Sequence, residues 1–248
     1  MKNKRDSWFT INAKANQPVE AFIYDDIGGF GIQAKDFISG LKEHSGKPIN
    51  LHINSLGGSV FDGFAIYNFL RPQNVTVEID GVAASIASVI ALAGKKVRMA
   101  SNAFFMIHNP HSIVAGESDD MRAMAECLDK TRDVIAATYE AKTGANIERV
   151  KAWMDAERWF NAAEAKAVGL ADEISEEADM AACAAMDWRK VSSVPGPILA
   201  LLQKRIDGKT EGQRIVDSLP PLPDPVSPFF GEGSQPNPAK GPEAKLEA

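Results

Sequence analysis

The chain has 248 residues, 45% hydrophobic and 24% charged, which is typical of a soluble globular protein with one large domain or two small ones. The formal net charge of -6 argues against nucleic acid as the main partner. No apolar run approaches the roughly 20 residues of a membrane span. The two cysteines and four histidines form neither a disulfide framework nor a metal-ligand pattern. We therefore expect a cytoplasmic protein whose site needs no metal and no cofactor.

Strand and helix patterns alternate along the chain. Strands are predicted at 19–24, 48–53, 75–82, 96–99, 103–107 and 170–174. Helices are predicted at 32–45, 60–70, 85–93, 119–143, 147–154 and 162–168. This alternation favours an α/β fold with a largely parallel sheet and right-handed crossovers. The 119–143 helix would be about 37 Å long, more than a compact domain needs, so we interpret it as a projecting helix for subunit contact. The alternative is a core helix.

The composition changes after about residue 190, since ten of the 14 prolines lie at or beyond Pro195. A segment with few large apolar residues cannot bury enough surface to offset its ordering entropy. We predict three parts: a flexible segment at 1–18, a folded domain at 19–190, and a largely disordered Pro-rich tail at 191–248.

A run of small residues, Gly81-Val-Ala-Ala-Ser85-Ile-Ala-Ser88, joins a predicted strand to a predicted helix. The first N–H groups of a helix lack intrahelical acceptors, and the helix dipole adds positive charge there. An oxyanion formed on a group bound to Ser85 would be stabilised by these amides, beginning with Ile86. The alternative interpretation of Ser85 is an ordinary helix N-cap.

A serine hydroxyl needs a base before it becomes a good nucleophile. His108 lies just past a strand end, where ligands gather in parallel-sheet proteins, and His111 is its competitor. A carboxylate must then orient the imidazole. Asp155 and Glu157 both precede an apolar pair and would point to one side if that segment were extended.

The loop Asn54-Ser-Leu-Gly-Gly58 connects a predicted strand to a predicted helix. The glycine pair Gly57-Gly58 can present bare backbone N–H groups to an oxyanion, which makes both amides candidate donors. The alternative is a tight turn that only requires positive φ.

Four motifs occur in the order and spacing of the Clp protease proteolytic subunit family. They are Asn54-Ser-Leu-Gly-Gly58, the Gly81–Ser88 run, Met106-Ile-His-Asn-Pro110 and Ala163-Glu-Ala-Lys-Ala-Val-Gly-Leu170. Details such as Val60-Phe-Asp-Gly-Phe-Ala-Ile-Tyr-Asn68 resemble most the phage-encoded, head-maturation branch of that family. The resemblance covers about residues 19–174.

The resemblance implies a spiral of β-β-α units, as in Clp proteases and crotonases, with a projecting long helix. It implies a serine endopeptidase with Ser85 as nucleophile, His108 as base, and Gly57 and Ile86 as oxyanion donors. Substrate would pair as an added strand beside Gly58 and Ser59, with Asn109 also in the binding site. Residues 112–118 would be a flexible strand beside the site, and the 119–143 helix would hold a homo-oligomeric ring together. Capsid or scaffold proteins are the substrates implied, in the host cytoplasm or inside the procapsid.

The sequence departs from the family in three ways. Glu157 stands at the third triad position, where the family has aspartate, and Asp155 is the fallback. Leu56 replaces a common proline, and the N-terminal segment does not resemble the family's axial loop, which makes docking to a Clp-type ATPase doubtful. Two rival functions remain open: a crotonase-type acyl-CoA enzyme, and an inactive ring-forming assembly protein.

Overall fold

The structure, a computed structural model, describes residues 9–176 with the exception of residues 16 and 30. Its strands are β1 (Phe9–Ala13), β2 (Val19–Ile23), β3 (Ile49–Ser55), β4 (Val75–Ala84), β5 (Lys96–Ala100), β6 (Phe104–Met106), β7 (Trp159–Asn161) and β8 (Glu173–Ser175). Its helices are α1 (Ala34–Lys42), α2 (Val60–Leu70), α3 (Ile86–Ala91), α4 (Ser118–Thr143), α5 (Ile147–Asp155) and α6 (Ala162–Ala167). The predicted α/β class is confirmed.

The described strands form one eight-stranded sheet. Six of them lie in the order β1-β2-β3-β4-β5-β8, while β6 pairs with β4 and β7 pairs with β6. Strands β2 to β5 run parallel, as expected from connections made through helices. The strand β4 is the longest and has two neighbours on one edge: β5 pairs with its first half and β6 with residues 82–84. The neighbour of β4 on this edge therefore changes from β5 to β6 toward the carboxyl end of β4, just before Ser85.

Alternating side chains give the sheet one apolar and one polar face. In β2, Val19, Ala21 and Ile23 are buried, while the residues between them are half-buried. The apolar face packs against helices, including Phe37 of α1 and Ile66 of α2. Every residue of α3 is buried, so the helix that follows Ser85 lies inside the core.

The long helix α4 has two unlike halves. Its first half is largely exposed, and its buried residues, Ile135, Ala136 and Tyr139, all lie in the second half. The helix begins with a capping box formed by Glu117 and Asp120, and ends at Gly144 with φ of 69°. It has 26 residues and is about 39 Å long.

The structure differs from the sequence predictions at both ends of the domain. The segment at 1–18 was predicted to be flexible, but residues 9–13 form β1, which pairs antiparallel with β2. The last strand was predicted at 170–174 and lies at Glu173–Ser175. The flexible strand predicted at 112–118 is not present in the described structure: residues 112–117 form no regular element, and Ser118 begins α4. The predicted tail at 191–248 and the domain end at 177–190 lie outside the described residues.

None of the described helices combines the length and hydropathy required to span a bilayer. Within the same residues, no group of three or more His, Cys, Asp or Glu side chains is arranged to hold a metal ion.

Candidate active site

Ser85 occupies a strained turn between β4 and α3. Its backbone φ is 55° with ψ of -132°, a conformation rare for a residue with a side chain. The turn is held by the Ser85 amide, which donates to Met106 O at 3.1 Å. The Ser85 side chain makes no capping hydrogen bond to α3, so the N-cap interpretation does not describe its hydroxyl. The hydroxyl is half-exposed and available to another group.

His108 lies against this hydroxyl. The parallel pairing of β4 with β6 matches Ala84 with Met106, and therefore brings the residues just beyond each strand end together. The distance from His108 Nε2 to Ser85 Oγ is 2.7 Å. The competing candidate, His111, has its ring centroid 5.5 Å from that of His108 and is exposed.

The surroundings of His108 favour its neutral form. Burial lowers the pKa of His108, the nearby His111 lowers it further, and the charge of Glu157 opposes both. The net effect is a pKa below the ordinary histidine value of about 6.5. Near neutral pH the imidazole is therefore unprotonated and able to accept a proton from Ser85.

Glu157 is brought opposite His108 by a second strand pairing. Strands β6 and β7 run antiparallel with Met106 matched to Trp159, and Ile107 N donates to Arg158 O at 3.1 Å. Continuing that register by one step sets residue 157 across from residue 108. Glu157 has a φ of 44°, and its amide donates to Met154 O, which ends α5 in a left-handed turn.

The segment that carries the two candidate carboxylates is therefore not extended, which corrects the geometry we expected. Asp155 is the last residue of α5, and Glu157 lies in the turn after it. Their side chains consequently have different partners. Asp155 Oδ1 accepts from Arg132 at 2.6 Å and from Asn109 at 2.9 Å. Glu157 is the carboxylate whose charge acts on His108.

Gly57 lies directly beside Ser85. A Cβ atom at residue 57 would fall 2.6 Å from Ser85 Cβ and 2.9 Å from Ala84 O, and its φ of 99° also disfavours a side chain. Only glycine allows the backbone at residue 57 to come this close to Ala84 and Ser85. Its amide donates to Ser55 Oγ at 3.1 Å, and Ser55 Oγ in turn donates to Asp25 O. Ile86, the other predicted donor, is the first residue of α3, where amides lack intrahelical acceptors.

Comparison with known proteins identifies the family. The family model described as Clp protease matches residues 22–178. The chain belongs to the Clp protease family. It is 34% identical over 140 residues to the "ATP-dependent Clp protease proteolytic subunit 1" of Leifsonia xyli, an alignment that covers 55% of this chain and 71% of that protein. It is 36% identical over 142 residues to the protein of the same name from Streptomyces avermitilis, covering 55% and 65%.

Membership of the Clp protease family agrees with the mixed α/β fold, and both relatives are named as proteolytic subunits.

Asn109, predicted to bind substrate, is hydrogen-bonded to two other side chains of the chain. Its side chain donates to Asp155 and accepts a hydrogen bond from Arg132 Nε at 2.9 Å. These three side chains join the strand end after β6 to α4 and α5. Sequence reasoning missed Arg132, because it lies 23 residues from each of its partners and no local pattern marks it.

A small recess opens beside the serine and histidine. It is lined by Val60, Ser85, Ile86, Val89, His108, Pro110, Ile135 and Tyr139. Most of these side chains are apolar, and α2, α3 and α4 all contribute to the wall. Gly58 and Ser59, predicted to bind substrate, lie at the start of α2, where the Ser59 amide donates to Ile27 O at 2.7 Å.

Proposed function

We propose that this chain is a serine endopeptidase that cleaves peptide bonds through an acyl-enzyme ester on Ser85. The observation that carries the proposal is the 2.7 Å contact between His108 Nε2 and Ser85 Oγ at a strained strand–helix turn. A nucleophile in hydrogen-bond contact with a neutral imidazole is the arrangement that acyl transfer requires.

In the first step His108 takes the Ser85 proton while Oγ attacks the scissile carbonyl carbon. The lowered pKa of His108 keeps its Nε2 lone pair available at neutral pH. His108 then returns the proton to the leaving amine, and a water molecule repeats the sequence to release the acyl group. A positioned acid–base group of this kind contributes about 10²–10⁴ to the rate.

The oxyanion of the tetrahedral intermediate would be held by the Ile86 amide, assisted by Gly57. The Gly57 amide donates to a neutral hydroxyl at 3.1 Å, and a negatively charged oxygen is the stronger acceptor. Glu157 would stabilise the imidazolium that forms on His108. Asp155 is unsuited to that role because its carboxylate is engaged by Arg132 and Asn109.

Substrate would bind as an added strand along Gly58 and Ser59, using backbone hydrogen bonds for affinity. The side chain before the cut would enter the recess. Val60, Val89 and Ile135 line that recess, so we expect a preference for small apolar residues. Such an enzyme would have broad specificity, because few polar groups select the side chain.

We further propose a homo-oligomeric ring that cuts capsid or scaffold proteins in the cytoplasm of a bacterial host or inside the procapsid. Two exposed apolar side chains on α4, Met121 (50% exposed) and Val134 (54% exposed), support subunit contact through this helix. The motifs that resemble the head-maturation branch support the choice of substrate. Although the relatives are named ATP-dependent, we propose action without a Clp-type ATPase, since the N-terminal segment does not resemble the axial loop.

The test compares the full-length chain with Ser85→Ala and with Ser101→Ala, a control that removes an exposed hydroxyl from a turn. A fluorophosphonate probe should label the wild type and the control at Ser85, and should not label Ser85→Ala although its circular dichroism is unchanged. Retained labelling of Ser85→Ala would refute the assignment.

Substrate choice is tested by incubating each protein with its candidate coat and scaffold proteins and mapping new termini by mass spectrometry. Cleavage by the wild type and not by Ser85→Ala supports the proposal. Intact coat and scaffold proteins, with the probe still reacting, would exclude the capsid substrates and leave the peptidase assignment standing. A ring that forms but neither reacts with the probe nor cleaves any peptide would favour an inactive assembly protein.

A further inference from the structure

A buried pair of hydroxyl groups lies behind the nucleophile, outside the residues used in the proposed mechanism. Ser88 of α3 and Tyr139 of α4 are 0% and 1% exposed, and their side-chain oxygens are 2.6 Å apart. The Ser88 hydroxyl also donates to the backbone carbonyl of Ser85. The three groups form one continuous chain of hydrogen bonds from the long helix to the catalytic turn.

The direction of these hydrogen bonds follows from counting protons. Ser88 has one hydroxyl proton, and it is directed to Ser85 O. The proton between Ser88 and Tyr139 must therefore come from the phenol. Burial raises the pKa of Tyr139 far above its ordinary value, so the phenol stays protonated and remains a donor.

The Ser85 carbonyl oxygen receives two hydrogen bonds from the same residue. The Ser88 amide donates to it at 3.0 Å, in addition to the Ser88 hydroxyl. This oxygen is thus held in position more firmly than by one helical hydrogen bond. The conformation it holds is the strained one, with φ of 55° at Ser85.

The Ser85 carbonyl shares a planar peptide unit with the Ile86 amide. In a trans peptide the C=O and N–H bonds point in opposite directions. Fixing the carbonyl oxygen on the core side therefore fixes the N–H direction on the other side, toward the cleft that contains Ser85 Oγ. An oxyanion donor is effective only when it is aimed in advance at the developing charge.

We propose that Ser88 and Tyr139 are positioning residues that aim the Ile86 amide at the oxyanion by holding the Ser85 carbonyl from behind. The inference rests on the proposed peptidase function. Neither side chain takes part in proton transfer. They act on the orientation of one peptide plane. This orientation affects the reaction at the stage where negative charge develops on the bound group.

The experiment measures inactivation of the full-length protein by a fluorophosphonate, because phosphonylation of Ser85 also develops charge on an oxygen. The inactivation rate constant at saturation reports the chemical step, and the half-saturating concentration reports binding. Tyr139→Phe is the main variant, since it removes one hydroxyl and retains the ring. Tyr67→Phe makes the same change on α2, where the phenol is half-buried, and is the matched control.

We expect Tyr139→Phe to lower the saturated rate roughly 10-fold, less than the 10²–10³ lost with a whole oxyanion donor. Half-saturation should stay within about twofold, because Tyr139→Phe keeps the aromatic ring that lines the recess and leaves His108 unchanged. Tyr67→Phe should match the wild type. The pH at which inactivation loses half its rate should also be unchanged, because His108 is untouched. Ser88→Ala should lower the rate at least as much, and the double variant should react no more slowly than Ser88→Ala alone.

A wild-type rate in Tyr139→Phe would overturn the inference while leaving the peptidase proposal intact. A slower rate that comes with a shifted pH profile or weaker half-saturation would also overturn it, since a general loss of structure would then be the cause. An unreactive wild type would refute the proposed function and, with it, this inference. If Ser88→Ala does not fold, Tyr139→Phe decides the question alone.

Discussion

His52 and His108 lie in two regions of the same sheet and have opposite protonation behaviour. His52 is in the middle of β3 on the polar face, between Asp80 of β4 and Glu20 of β2. Its Nδ1 is 2.8 Å from Asp80 and its Nε2 is 3.2 Å from Glu20, and the ring stacks on Phe22. Both ring nitrogens therefore face carboxylates.

The pKa values of the two imidazoles shift in opposite directions. Burial alone would lower the pKa of His52, but the hydrogen bonds and charges of Asp80 and Glu20 outweigh it, and the pKa is raised. Burial dominates at His108, whose pKa is lowered. The two carboxylates favour the protonated form of His52, which links β3 to both neighbouring strands. A histidine with one nitrogen on a hydroxyl keeps a lone pair for catalysis.

The stability of the fold should respond to pH with opposite signs at the two positions. The raised pKa of His52 adds stability that is complete below about pH 6.5 and is lost as pH rises through the folded-state pKa. The lowered pKa of His108 costs stability as pH falls below about 6.5, since the unfolded chain then binds the proton more readily.

The largest expected effect comes from replacing each of the two carboxylates next to the site by its neutral amide. Glu157→Gln keeps the shape of the side chain but removes the charge that acts on His108, so we expect kcat to fall by roughly 10²–10⁴. Asp155→Asn, which disturbs only the contacts with Arg132 and Asn109, should lower kcat less than about 10-fold. Steady-state peptide hydrolysis measures both. A larger loss in Asp155→Asn would reverse the assignment of the third triad member.

His52→Gln should reduce stability without affecting chemistry. Losing the charge-assisted bonds to Asp80 and Glu20 should lower the free energy of unfolding by about 1–2 kcal/mol at pH 6. The difference should shrink above the raised pKa of His52, where the wild type also carries a neutral ring. Urea denaturation at several pH values measures this, with His44→Gln as control. A loss of kcat with unchanged stability would contradict the comparison.

The smallest expected effect is at His111. Because its charge lowers the pKa of His108, His111→Gln should raise that pKa and move the acid limb of the kcat/KM profile to higher pH. The plateau of the profile should stay unchanged if His108 alone is the base. Loss of the plateau instead would make His111 the proton acceptor.

Much of the folded domain could be predicted from local patterns. The strand beginning near Ile49, the helix Val60–Leu70 and the long helix ending at Thr143 agree with their apolar periodicities and turn residues. The edge strand Phe9–Ala13 could not be predicted in this way, because it has only five residues and is stabilised by pairing with β2.

For the candidate site, too, some features could be predicted from the sequence and others could not. The serine, histidine and carboxylate could be predicted as candidates from their residue types and their positions next to predicted strands. The spacing of the motifs predicted the Clp protease family, which the family match confirms. The left-handed backbone at Ser85 and Glu157 was not visible, since neither residue type prefers positive φ. The choice between Asp155 and Glu157 depended on where α5 ends relative to the β6–β7 register.

By itself, the sequence determined the strand–helix alternation, the small residues around Ser85 and the inventory of ionisable groups, because each depends on a few adjacent residues. Only the tertiary structure decided which hydroxyl contacts which imidazole, and which histidine has a raised pKa and which a lowered one. The same holds for the contact between Ser88 and Tyr139, residues 51 positions apart. Such partners are chosen by strand register and helix packing, which bring together groups that no local pattern connects.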